Sequence, residues 1–158
     1  MPKKDKNSDP LIASNRKAFH DFSVIDRYEA GIKLQGTEVK SCRARTVNMA
    51  DSYVDFLGKG SEAELLNMHI SPYENGGYFN HPPVRRRKLL LHKKEILKLF
   101  QQTREKGLTV VPLKLYFKNG LVKVELGLCR GKNQQDKRET LRDKQMKMEV
   151  KRLVKDFR

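Results

Sequence analysis

Four histidines, at 20, 69, 81 and 92, and two cysteines, at 42 and 129, are the side chains of this chain best suited to hold a metal or to serve as nucleophile and base. Their spacing suits neither task. The cysteines stand alone, with no CxxC pair, so they read as reduced thiols and neither as a zinc site nor as a disulfide framework. The histidines lack metal-ligand spacing and read as structural or as contacts to a partner. Gly58-Lys59-Gly60-Ser61 looks like a phosphate loop, yet it joins two predicted strands and is a hairpin turn. Neither a P-loop nor a GxGxxG or GxSxG motif occurs. These residues predict a binding protein that is not an enzyme, with no cofactor and no metal.

The chemistry that the spacing does favour is capture of a polyanion. Lys and Arg number 34 against 19 Asp and Glu over 158 residues, a formal net charge of +15. Between Arg130 and Arg158 there are eleven basic and five acidic residues, almost without apolar content up to Arg138. Such a segment repels itself unless a partner neutralises it, and counterion release makes nucleic acid that partner. Arg85-Arg86-Arg87-Lys88 reads as a phosphate footprint, or else as a solvated loop. Tyr116 and Lys123 are predicted to face each other across a hairpin on its wet side, where an aromatic and a cation suit base stacking with phosphate contact.

The elements that position these residues are short. Asn119-Gly120 is a two-residue hairpin turn, and it pairs Phe117 with Val122, Tyr116 with Lys123, Leu115 with Val124 and Leu113 with Leu126. One face is then apolar, from Val111, Leu113, Leu115 and Phe117 to Val122, Val124, Leu126 and Leu128. Further strands are expected at 22–28, 52–57 and 64–70, with a loop at 71–84. Thr37 to Arg43 reads as a short helix with Thr37 as its N-cap. Ile96, Leu99 and Phe100 put one apolar stripe on a helix over 92–106, closed by Gly107. The fold class expected is mainly β: a small closed antiparallel β-barrel of the oligonucleotide-binding type with two or three flanking helices. Residues 1–12 are expected to be a disordered N-terminus, 13–130 the domain and 131–158 a basic tail. Met146, Val150, Leu153, Val154 and Phe157 place a helical stripe in that tail. A helix so isolated is marginal in water, so the tail is expected to be disordered alone and helical on its partner. A helix docked on its own barrel, or lying on a membrane, would carry the same stripe. No apolar run approaches the roughly 20 residues of a membrane helix, and the start lacks a signal-peptide core; a cytoplasmic protein, monomeric when free, is expected.

Several motifs occur in a fixed order: Tyr28-Glu29-Ala30-Gly31, Gly36-Thr37-Glu38-Val39-Lys40-Ser41, Asp51-Ser52-Tyr53, His69-Ile70-Ser71-Pro72-Tyr73, Arg87-Lys88-Leu89-Leu90-Leu91-His92, Val111-Pro112-Leu113-Lys114-Leu115-Tyr116, and Gly131-Lys132 ahead of Asp136-Lys137-Arg138-Glu139. From about Ala13 to Arg142 the chain resembles the small protein B family, the tmRNA-binding (SsrA-binding) proteins of bacteria. The resemblance implies a barrel that binds the tRNA-like domain of tmRNA and delivers it to stalled ribosomes. It also implies a tail that enters the decoding centre and mRNA channel and folds there.

By that resemblance Glu29, Leu90 and Lys123 are tmRNA contacts, and Gly131, Lys132, Asp136, Lys137 and Arg138 are ribosome-binding tail residues. Gln135 stands where the family usually carries a Tyr or His, and an amide offers no aromatic face for stacking. Asn15, Arg16, Lys17 and His20, Lys40 and Arg43, and Arg87, Lys88, His92 and Tyr116 complete the candidate RNA contacts. Glu29 is either a plain strand carboxylate or one that accepts from base amino groups or holds a basic neighbour in place. Leu90 either packs in the barrel or meets an unstacked base. The alternative function is a structural ribosomal or general RNA-binding protein of the oligonucleotide-binding type.

Overall fold

The computed structural model describes residues 10–132 and 144–152. Nine strands and three helices run in the order β1 (Leu11–Ser14), α1 (Arg16–Asp21), β2 (Phe22–Ile32), α2 (Gly36–Arg43), β3 (Val47–Asn48), β4 (Tyr53–Leu57), β5 (Glu62–Leu66), β6 (His69–Ile70), β7 (Arg87–Leu90), α3 (Lys93–Lys106), β8 (Thr109–Lys118) and β9 (Leu121–Gly131). Residues 144–152 form a further helix, α4, with every side chain exposed. The disorder expected for the first residues, and Asp136, Lys137 and Arg138 with Gln135, Leu153, Val154 and Phe157, lie outside the described residues. No described helix is long and apolar enough to cross a membrane.

Seven strands make one antiparallel sheet in the order β1-β8-β9-β2-β7-β5-β4, and β3 pairs with β6 apart from it. The closed barrel expected from the strand pattern is not what the hydrogen bonds draw. The ladder is open, and no pairing joins β4 to β1 among the described residues. The sheet also begins earlier and ends later than composition indicated. Leu11 and Ile12, assigned to a disordered N-terminus, belong to β1, with Ile12 in the core. Gly131, assigned to the tail, pairs with Phe22.

The Asn119-Gly120 hairpin is present with Asn119 and Gly120 both at positive φ, which is what a tight two-residue turn demands. Its pairs match expectation from Lys118↔Leu121 to Lys114↔Glu125, and then the register shifts: Leu126 faces Pro112, and Leu113 is the extra residue. Pro112 has no N–H to give a ladder, which is where bulges are found. The consequence is a change of side. Leu115, Val122, Val124, Leu126 and Leu128 stay in the main core with Val110, whereas Val111 and Leu113 turn to the opposite face. There, α1 covers them, and Ala18, Val111, Leu113 and Cys129 form a second small core.

Close packing across this second core requires Gly127. A Cβ at that position would lie 2.8 Å from Leu113 Cδ1 and 3.1 Å from Cys129 Sγ. Gly127→Ala should therefore lower unfolding free energy by about 1–3 kcal/mol, measured by urea titration. A neutral change would mean that Leu113 has room to give way.

α1 was not foreseen. Asn15 makes it: Oδ1 accepts from the Ala18 amide at 3.1 Å while Nδ2 donates to Pro112 O at 2.9 Å. Asn15 is thus a buried cap and tether, and its assignment as an RNA contact is corrected. α2 starts one residue before the expected cap. Glu38 Oε1 accepts from the Gln35 amide at 2.9 Å, so Gln35 stands at the N-cap and Thr37 lies inside the helix. α3 ends as expected at Gly107, in the left-handed region with φ 62°.

Candidate nucleic-acid interface

Strand pairing brings three distant positions side by side. Gly31 faces Lys123 on β9 and Leu90 on β7, so Lys123, Gly31 and Leu90 form one row across the sheet. A Cβ on Gly31 would stand 3.1 Å from Leu90 Cβ and 3.6 Å from Lys123 Nζ. Glycine lets the leucine and the lysine close over that strand. Leu90 is 54% exposed, so its side chain is not taken up by core packing.

This row borders a groove of about 710 Å³ whose walls include Glu29, Lys88, Leu90, His92 and Lys123. On the other side of Leu90, Leu34, Val39 and Leu121 line an apolar hollow of about 220 Å³. Five of the residues singled out from the sequence therefore meet at one place.

Glu29 has a settled role in this groove. Tyr116 Oη donates to it at 2.6 Å, and Lys118 Nζ reaches both carboxylate oxygens at 3.2 Å. The hydrogen bond from Tyr116 lowers the Glu29 pKa below its ordinary value; burial opposes this, and Lys118 and Lys123 reinforce it. An ionised carboxylate thus holds an aromatic and a cation in place at the edge of the groove. Lys118 was missed, although its signal was there: it continues the alternation from Lys114 and Tyr116 on the wet face. Two residues back along β2 and on the same face, Arg27 Nη1 donates to Glu125 at 3.0 Å.

The basic run 85–88 splits in two because alternate residues of an extended chain face opposite ways. Arg87 is buried and pairs through Nε with the buried carboxylate of Glu38, and its Nη1 donates to Met68 O at 2.7 Å. Arg85 binds the other oxygen of Glu38, with Nε at 3.0 Å. Burial would raise the Glu38 pKa, but hydrogen bonds from Arg85, the Gln35 amide and Arg87 outweigh it and hold it below its ordinary value. Arg87 is therefore a structural pin between α2 and β7, and its reading as an RNA contact is corrected. The exposed members are Arg86, 3.5 Å from Glu64, and Lys88, 3.8 Å from Glu62. The Lys88–Glu62 pair, with both side chains half exposed, is worth little and yields readily to a phosphate.

The remaining candidates lie elsewhere. Arg16, Lys17 and His20 are exposed on α1, with Lys17 2.6 Å from Asp51 and His20 Nδ1 2.9 Å from Asp21. Lys40 and Arg43 are exposed on α2, and Lys40 Nζ stands 5.1 Å over the Tyr73 ring. At the root of the tail, the Lys132 amide donates to Asp21 O at 2.9 Å and Nζ reaches Phe19 O at 3.3 Å. Burial, with Glu38 nearby, pushes the Cys42 thiol up to about 12, and burial pushes Cys129 to about 11. Both stay protonated and inert. No group of three metal-ligating side chains occurs among the described residues.

The family model "SmpB protein" matches residues 12–156. The SsrA-binding protein of Staphylococcus haemolyticus is 54% identical, covering 99% of both chains. That of Bacillus cytotoxicus is also 54% identical, covering 96% of each. A solved structure described as "tmRNA-SmpB: a journey to the center of the bacterial ribosome" contains a chain 48% identical, with a TM-score of 0.67, covering 84% of this chain and 95% of that one. The chain belongs to the SmpB family, the SsrA-binding proteins.

Proposed function

We propose that this chain binds the tRNA-like domain of tmRNA through the groove at Glu29, Leu90 and Lys123 and delivers it to stalled ribosomes for trans-translation. It acts as a binding protein in the cytoplasm and performs no catalysis. The observation that carries the reading is the row Lys123–Gly31–Leu90, where an exposed leucine and a lysine meet beside the Tyr116–Glu29–Lys118 cluster. A leucine packs on an unstacked base, a tyrosine offers a stacking face, and the lysines meet phosphates. The open sheet serves as a barrel of the oligonucleotide-binding type, with β4 lying against β8 in place of a closing ladder. The tail beyond β9 reaches the decoding centre and mRNA channel, where a surface covers the apolar side chains that α4 exposes, with Asp136, Lys137 and Arg138 among its contacts.

Gel shifts with tmRNA test the groove. Lys123→Ala should weaken binding about tenfold and lower the slope of log affinity against log salt by about one. Glu29→Ala should also weaken binding, although it removes a negative charge, because it releases Tyr116 and Lys118. Tighter binding by that variant would show the carboxylate to be only a repulsive charge.

A further inference from the structure

Two aromatic rings stand outside every role assigned so far. Tyr78 and Phe79 occupy a 3-10 turn (Gly77–Phe79), with Tyr78 fully exposed and Phe79 90% exposed. No other large apolar residue among the described residues is as open to solvent. Two adjacent rings left in water offer apolar faces on which a partner can stack.

The turn is held rigidly. The Gly76 amide donates to Tyr73 O at 2.9 Å and the Phe79 amide to Gly76 O at 3.1 Å. Asn80 closes the loop from inside: Oδ1 accepts from the Tyr73 amide at 3.0 Å and Nδ2 donates to Tyr73 O at 2.7 Å. A Cβ at Gly76 would sit 2.8 Å from that Nδ2. The next residue, His81, is buried with Nε2 2.9 Å from Ile70 O and Nδ1 2.8 Å from Thr37 Oγ1. The scaffold keeps both rings outside the core.

The surroundings decide what the rings receive. The loop lies along α2 through the Thr37–His81 bond, through Ser41 Oγ donating to Ser71 O at 2.7 Å, and through Lys40 over Tyr73. Residues 33–45 and 71–84 carry four exposed cations, Lys33, Lys40, Arg43 and Arg45, against one exposed acid, Glu74. The core of a protein interface is depleted in charge. Aromatic faces flanked by cations suit RNA, whose bases stack while its phosphates are neutralised. The surface is also separate from the groove: Leu34 and Val39 face the hollow beside Leu90, whereas Thr37 and Ser41 face this loop.

We propose that Tyr78 and Phe79 form a second RNA contact, stacking on unpaired bases of a single-stranded segment while Lys40 and Arg43 hold its phosphates. The proposal rests on the RNA-binding reading above for the class of its ligand alone.

The chain contains no tryptophan, so Tyr78→Trp in the full-length protein introduces a single reporter at a position with no packing to disturb. Titration with an oligoadenylate of about ten nucleotides should quench the indole saturably. The quench should persist when Lys123→Ala is added. By fluorescence anisotropy, the double variant Tyr78→Ala/Phe79→Ala should bind the same oligonucleotide at least about tenfold more weakly. Either an unmoved emission or an unchanged affinity of the double variant overturns the proposal, and leaves a protein as the occupant of the loop. A tmRNA gel shift run in parallel separates the two readings. An affinity for tmRNA that Lys123→Ala leaves unchanged, with a quenched indole, retires the groove alone; an affinity for tmRNA that Lys123→Ala weakens, with an unmoved indole, retires the loop alone.

Discussion

Arg87→Ala should destabilise the fold by about 3–5 kcal/mol, because it leaves the buried carboxylate of Glu38 with one of its two arginines gone. It also strips donors from Met68 O and Pro83 O, which Arg87 reaches at 2.7 and 3.2 Å. Urea denaturation reads the loss directly, and a cost below 1 kcal/mol would mean that Arg85 alone satisfies the site. The pair also fixes a pH signature. The Glu38 carboxyl is lowered in the folded state relative to the unfolded chain. Its stabilisation is therefore complete above the unfolded carboxylate value and is lost as pH falls through the lower, folded one. Glu38→Gln should remove that component of the acid transition while lowering stability at neutral pH. Loss of tmRNA binding by Arg87→Ala, if it occurs, should track the unfolded fraction and vanish where the variant is folded.

Truncation after Lys132 is expected to leave tmRNA affinity within about twofold of the full chain and to abolish tagging of stalled products in a reconstituted translation system. The cut keeps the Lys132 amide on Asp21 O and so preserves the end of β9. The described part of the tail supplies the reason for a separate role: α4 shows Met146, Met148 and Val150 to solvent at 65%, 64% and 57%. A short helix with unpartnered apolar side chains is marginal in water and gains stability from a surface that covers them. Retained tagging by the truncated chain would end the division of labour between groove and tail.

Much of this molecule was legible in the chain because the deciding interactions are local. The Asn119-Gly120 turn, the amphipathic stripe of α3 and its Gly107 stop each depend on neighbours a few residues away. Glu29 and Leu90 were named within motifs, Lys123 by resemblance on the second hairpin strand and Tyr116 through its place opposite Lys123; the structure brings Glu29, Leu90 and Lys123 to one groove. What the motifs did not tell is that the carboxylate of Glu29 serves its own tyrosine and lysine. Errors arose where the partner is remote. Arg87 reads as one cation in a run of four until Glu38, 49 residues away, takes it inside. Asn15 reads as a polar surface residue until Pro112 O, 97 residues away, accepts its amide. Leu113 reads as one more inward leucine until a bulge turns it under α1.

The sequence by itself determined the basic charge, the hairpin, the helix stripe and the ordered motifs, since these are properties of composition and of short-range geometry. Only the tertiary structure decided which cations are pins and which are free for a phosphate, where the second core lies, and that Tyr78 and Phe79 are propped outward. The physical reason is that burial is settled by strand register and helix docking. These join residues tens of positions apart, and a single bulge reverses the side on which every residue beyond it falls.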